Sequence, residues 1–249
     1  MDVLKEGPGP AEPFLAASEL VETEWPLERP VTVTVVEDPD ERTRVSHSAE
    51  GHRLTISRQA ATSAMARELA LHEFAHMHHH EQAHPSHTQS TEEAIYLALT
   101  GRTVEKRKLT HCYQIANHMK DIYADDLWLD VAPADKLVDF LEASLANSVA
   151  DRPDGPQAWD LLTAGADPEI TAVNAAFALG LVERHNLVGD DHRLYDLAHA
   201  AAADAPEVDF EHFRELFRSL AADPDESEYR KHLVDAAREY AGGTGPAAD

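Results

Sequence analysis

Cysteine is almost missing from this chain. Cys112 is the only one in 249 residues, so an internal disulfide and a thiolate-rich zinc knuckle are both excluded, and a reducing compartment is expected. Lysine is also scarce: six of the 21 basic residues, set against 46 acidic ones, for a formal net charge of -25. A field of that sign repels phosphate backbones and anionic lipid surfaces, which argues against nucleic acid and membrane as partners. Apolar runs long enough to span a bilayer are absent, and the leading residues, Met1 to Glu6 and then Gly7-Pro-Gly-Pro10, lack the basic and apolar regions of a signal peptide. The expectation is a soluble, cytoplasmic protein without a transmembrane segment.

The excess of carboxylates, with arginine largely in place of lysine, resembles the proteomes of salt-loving archaea, where concentrated salt screens an acidic surface from itself. Composition is otherwise that of a chain able to bury a core, in one large domain or two small ones. Residues 1–30 read as a Pro- and Glu-rich extension with one short helix near Phe14 to Glu22. The period then shifts to two. Val31 to Val36 is a β-branched run, and Thr43 to His47 and His52 to Ser57 flank Ser-Ala-Glu-Gly as a hairpin. A helix follows from a cap at Thr62 or Ser63 to about His84, where Pro85 ends it. Ser90-Thr-Glu-Glu93 is a capping box for a helix stopped at Gly101, and a long helix runs from about Thr103 to Asp130. Beyond Pro133 all is helix and turn, with segments at 135–150, 158–164, 168–185, 191–202, 209–222 and 227–241 and a frayed tail from Gly242. The fold class expected is α+β and mainly α: a leading extension (1–30), a small sheet with metal-binding helices (31–131), and an all-α region (132–249).

The chemistry lies in His72-Glu73-Phe74-Ala75-His76, an H-E-x-x-H box inside the helix after the hairpin. Imidazoles four residues apart on a helix point the same way and can bind one metal ion, while the glutamate beside the first reaches water at that metal. Met65, Leu69, His72 and His76 share one helical face, so the histidines end an apolar stripe. This is the signature of a zinc-dependent hydrolase, with Zn2+ the expected cofactor, Glu73 the general base, and a peptide or protein the substrate. Nothing indicates a nucleotide or redox cofactor.

Catalytic zinc usually takes three protein ligands. On the long helix, His111, Gln114, Asn117, His118, Asp121 and Asp125 fall on one face, opposite Cys112, Met119 and Tyr123. Such a polar stripe is most often a solvated face, but this one carries Asp121-Ile-Tyr-Ala-Asp125, of the form E-x-x-A-D with aspartate in first place. The pair of motifs resembles the gluzincin metallopeptidases over roughly Ser57 to Asp130. The resemblance implies a zincin-like sheet and helices, His72, His76 and Asp121 as metal ligands, Glu73 as base, and Asp125 as the carboxylate bonded to a ligating histidine. The departure from the family pattern is the shorter arm at 121, which demands closer helices or another metal preference. Glu92, Glu93, His84, His87 and Asp125 remain alternatives for the third ligand, and His87 or Tyr96 for the oxyanion donor. Arg44 to His47 or Arg53 to Ser57 could be a sheet edge that pairs with an extended substrate. A second reading is a catalytically silent, metal-stabilised binding or regulatory protein whose helical half docks a partner. A third is a proteolytic regulator of one protein target.

Overall fold

The computed structural model describes residues 1–150 and 167–242 and is mainly helical, with one small mixed sheet. Two compact units divide the chain: Met1–Thr88 with Tyr123–Pro133, and Gln89–Ile122 with Ala134–Asp249. The helix expected at 158–164 and the tail after Gly242 lie outside the described residues.

The first unit is built on strands β1 (Val3–Glu6), β2 (Val31–Val36), β3 (Arg44–His47) and β4 (His52–Ser57), in the order β1-β2-β4-β3. In β2, Val31, Val33 and Val35 are buried while the alternating threonines are half-buried, as the two-residue period requires. β2 runs parallel to β1 and β4, and β3 closes the hairpin antiparallel to β4, with His47 opposite His52. β3 is therefore an outer strand, with β1 at the opposite edge. β4 is paired on both sides, which removes most of it as an edge for an extended substrate. β1 replaces part of the irregular extension expected at 1–30: four residues with only alternate side chains half-buried carry too weak a period to be read. Gly7, at φ +83°, ends it, and a β-carbon there would come within 2.1 Å of the Val35 carbonyl oxygen.

Helix α1 (Glu12–Glu24) packs on α3 (Ala66–Glu81), burying Phe14, Ala17 and Val21. Between the sheet and α3 lies a short α2 (Arg58–Ala61), capped by Ser57 Oγ. The helix expected from Thr62 or Ser63 thus starts later: Ser63 Oγ donates to the Ala60 carbonyl and accepts from the Met65 N–H, so it holds a turn between α2 and α3. α3 also stops earlier, because Ala83 turns left-handed at φ 51°; a one-turn helix α4 (Pro85–Thr88) follows.

In the second unit α5 (Thr91–Leu99) is capped by Ser90 Oγ, which accepts from the Glu93 N–H, and Gly101 at φ +77° ends the segment. The long helix α6 (Lys106–Leu129) carries the boundary between the units. Then come α7 (Asp135–Ala150), α8 (Pro168–Arg184), α9 (Arg193–Asp204), α10 (Phe210–Ser219) and α11 (Glu226–Gly242). α8 is the core helix: Asp167 caps it, and from Ile170 to Val182 only Asn174 is not buried. Gly180 lets α10 approach, since a β-carbon would lie 2.9 Å from the Arg214 carbonyl oxygen and from Phe217 Cβ. Phe177, Phe213 and Phe217 fill the contact, with Phe177 and Phe217 edge to face at 5.6 Å. No helix among the described residues is long and apolar enough to cross a membrane.

Candidate metal centre

α3 carries Leu71, Phe74 and Ala75 on its buried side and holds His72, Glu73 and His76 half-buried beside them. Their placement follows from the helix itself: 3.6 residues per turn put His72 and His76 on one face, and Glu73 about 100° round from His72.

His72 Nδ1 lies 2.8 Å from Asp125 Oδ1, and the same oxygen accepts the Trp128 Nε1–H at 2.6 Å. Asp125 is 4 % exposed. A carboxylate oxygen already accepting an indole N–H is an acceptor for the imidazole as well, so His72 donates from Nδ1 and its Nε2 keeps a lone pair.

The tautomer of His76 follows from a longer chain of bonds. The Ser86 backbone N–H donates to His84 Nδ1 at 3.3 Å, which makes that nitrogen an acceptor. The Ser86 hydroxyl, 2.6 Å from it, donates there too and accepts from His87 Nδ1–H at 2.7 Å. His87 Nε2 is then an acceptor for His76 Nδ1–H, 2.7 Å away. With this proton order His76, like His72, can offer its Nε2 lone pair.

These two Nε2 atoms are 3.0 Å apart. At this distance they share a hydrogen bond when one ring is protonated at Nε2, and present two ligand atoms when neither is. Convergent imidazole nitrogens, one ring backed by a carboxylate, are a donor set suited to zinc. One turn before Asp125 on α6 stands Asp121, and His72, His76 and Asp121 each offer one ligand atom within 4.8 Å of the others. Among the described residues this is the group that could hold a metal ion.

The other sequence candidates fall elsewhere. His87 is behind His76, on its Nδ1 side, and His84 lies further along the same chain. Glu92 and Glu93 are exposed at the start of α5, where Glu92 accepts the Ser90 hydroxyl. Tyr96 is 71 % exposed. Nor is the α6 stripe a solvated face throughout. His111 Nδ1 is 2.5 Å from the Tyr240 hydroxyl, Gln114 and His118 Nε2 both donate to Asn174 Oδ1 at 2.9 Å, and His118 Nδ1 lies 3.5 Å from Asp121 Oδ2.

Sequence reasoning did not find Ser86, Trp128 or His79. His79 Nε2–H donates to the Tyr123 carbonyl at 2.9 Å, joining α3 to α6. Burial, with the neighbouring His84, His78 and His76, pulls its pKa down to about 4 against the bond to Tyr123. Spacing offered one signal: Trp128 follows Asp125 by three residues, so the pair shares a helical face.

A family profile described as "Family of unknown function (DUF5781)" matches residues 1–242, and the chain belongs to that family. No curated protein and no solved structure is significantly similar to it.

Proposed function

We propose that this member of the DUF5781 family is a zinc-dependent metallopeptidase with a zincin-like first unit. His72, His76 and Asp121 are the metal ligands, Glu73 is the general base, and Asp125 orients His72. The observation that carries the reading is the convergence of the two Nε2 atoms at 3.0 Å, with each ring hydrogen-bonded at its Nδ1. These two nitrogens, with a carboxylate oxygen of Asp121, would hold the ion.

When bound, zinc supplies a Lewis acid that polarises the scissile carbonyl and acidifies the attacking water. The chain's residues do the rest. Glu73 takes the water's proton and delivers it to the departing amine. Asp125 holds His72 in the tautomer that ligates and strengthens its donor nitrogen. Ser86 and His87 do the same for His76 without adding a charge. The aspartate at 121, shorter than the family's glutamate, is compatible with the 4.8 Å spread of the ligand atoms. The reading places the enzyme in the cytoplasm of a halophile, where its acidic surface stays hydrated.

The test is hydrolysis of an unfolded protein such as casein, in high salt, by zinc-loaded wild type and Glu73→Gln. Turnover by wild type, with a loss of about 10²–10⁴-fold or more in the variant at equal zinc content, is the expected result. Equal turnover by both would remove Glu73 from its role, and zinc without turnover in wild type would favour the silent binding protein.

A further inference from the structure

One turn beyond His76, α3 presents His80 on the same face as His72 and His76, about 6 Å further along the axis. The His47 ring, on the edge strand β3, lies flat against it, with centroids 3.8 Å apart and planes at 11°. Next to His47, the Ser48 carbonyl accepts from Arg29 Nη1 at 3.1 Å, which brings the guanidinium to this corner. In a chain of net charge -25, Arg29 makes no ion pair with a carboxylate among the described residues. The carboxylate bonded to the Arg29 backbone is otherwise engaged. Glu81, 2 % exposed at its side chain, accepts the backbone N–H groups of Glu28 and Arg29 at 2.7 and 2.9 Å and the His52 Nε2–H at 2.9 Å.

His52 donates to Glu81 from Nε2, and its Nδ1 is hydrogen-bonded to His47 Nδ1 at 2.7 Å. His47 is thereby held as a flat shelf under His80. Burial, then His80, His52 and Arg29, lower its pKa to about 4, while burial, His52 and Arg29 lower that of His80. Near neutral pH the positive charge of this corner is therefore the guanidinium's, with one N–H spent on Ser48 and the remaining fork available, and His80 is a neutral ring beside it.

We propose that Arg29 and His80, with His47 as the supporting ring, form a carboxylate-binding subsite one helical turn from the metal ligands, and that the enzyme cleaves peptides near a free C-terminal carboxylate. The proposal rests on the peptidase reading for its reaction but not for its binding site. An arginine fork matches a carboxylate in two parallel hydrogen bonds. An extended residue spans about 3.3–3.6 Å, so an anchor about 6 Å along α3 leaves one or two residues between scissile bond and terminus.

The experiment is calorimetric titration of full-length Glu73→Gln protein, zinc-loaded and zinc-free, with an N-acetylated tripeptide carrying a free C-terminal carboxylate and with the same tripeptide amidated. The acid should bind about tenfold or more tightly than the amide in both forms. That preference should collapse in Arg29→Met, survive in part in Arg29→Lys, and weaken in His80→Gln. Equal binding of acid and amide would overturn the proposal. So would a preference that needs zinc and survives Arg29→Met, since the carboxylate would then sit on the metal. Discrimination by a protein unable to bind zinc would leave the subsite standing and sink the peptidase reading; zinc binding and casein hydrolysis without discrimination would do the reverse.

Discussion

Histidine does different work in the two units. In the second, His192 Nδ1 caps α9 by accepting the Leu194 N–H, His111 bonds Tyr240, and His118 lies on the Phe177 ring at 4.3 Å while bonding Asn174. Each ring meets a partner that complements it, and the unit rests on apolar packing around α8. In the first, rings meet rings: His72 and His76 face each other with like atoms, His47 lies on His80, and one chain of bonds runs from His76 through His87 and Ser86 to His84. Two imidazole nitrogens converging from one helix face, one ring backed by a carboxylate, are the feature of this unit on which the proposed metal site rests.

That contrast can be broken in graded ways. The largest effect is on turnover: Glu73→Gln should cost about 10²–10⁴-fold or more while leaving zinc and melting temperature unchanged. The counterpart in the second unit is Phe217→Ala, which removes a fully buried ring from the α8–α10 contact. It should destabilise by about 3–5 kcal/mol in denaturant titrations and leave zinc stoichiometry intact in the folded fraction. If Phe217→Ala strips zinc from folded protein, or Glu73→Gln unfolds the chain, the two units are not doing separate jobs.

Acid should weaken the first unit specifically. His79 is neutral in the fold and its pKa is held near 4 against an ordinary 6.5. The unfolded chain therefore takes up the proton first, and stability that is full above about pH 6.5 is lost as the pH falls toward 4, by about 3 kcal/mol. Urea midpoints at about pH 7.5 and about pH 4.5 read this directly, and His79→Gln should flatten the dependence. A smaller effect sharpens the site: Asp125→Asn keeps the shape but loses the charge behind His72, and should weaken zinc affinity by about 10–100-fold in chelator competition. An unchanged affinity would mean that His72 does not ligate through Nε2.

Part of this was legible from the residues. The H-E-x-x-H spacing carries its own geometry, because a helix turns any such pair to one side. The valines of β2 and the hairpin of β3 and β4 announced themselves by period. The α6 stripe was visible as a face, but not what would meet each member of it, since Tyr240 and Asn174 come from distant helices. Ser86 and His87 were hidden for a similar reason: the left-handed turn at Ala83 brings them back to His76, and nothing in the spacing of 76 and 87 says so. Thr62 and Ser63 looked like a helix cap, yet Ser57 caps the preceding short helix and Ser63 serves the turn after it. Arg29 lay in a segment read only as an extension.

The most direct measurement is metal content per chain after purification in high salt, for wild type, His72→Ala and Asp121→Ala. The account predicts one zinc in wild type, lost or greatly weakened in both variants while their folded content is unchanged. A folded wild type that takes up no zinc, even when the metal is supplied in excess, would contradict it.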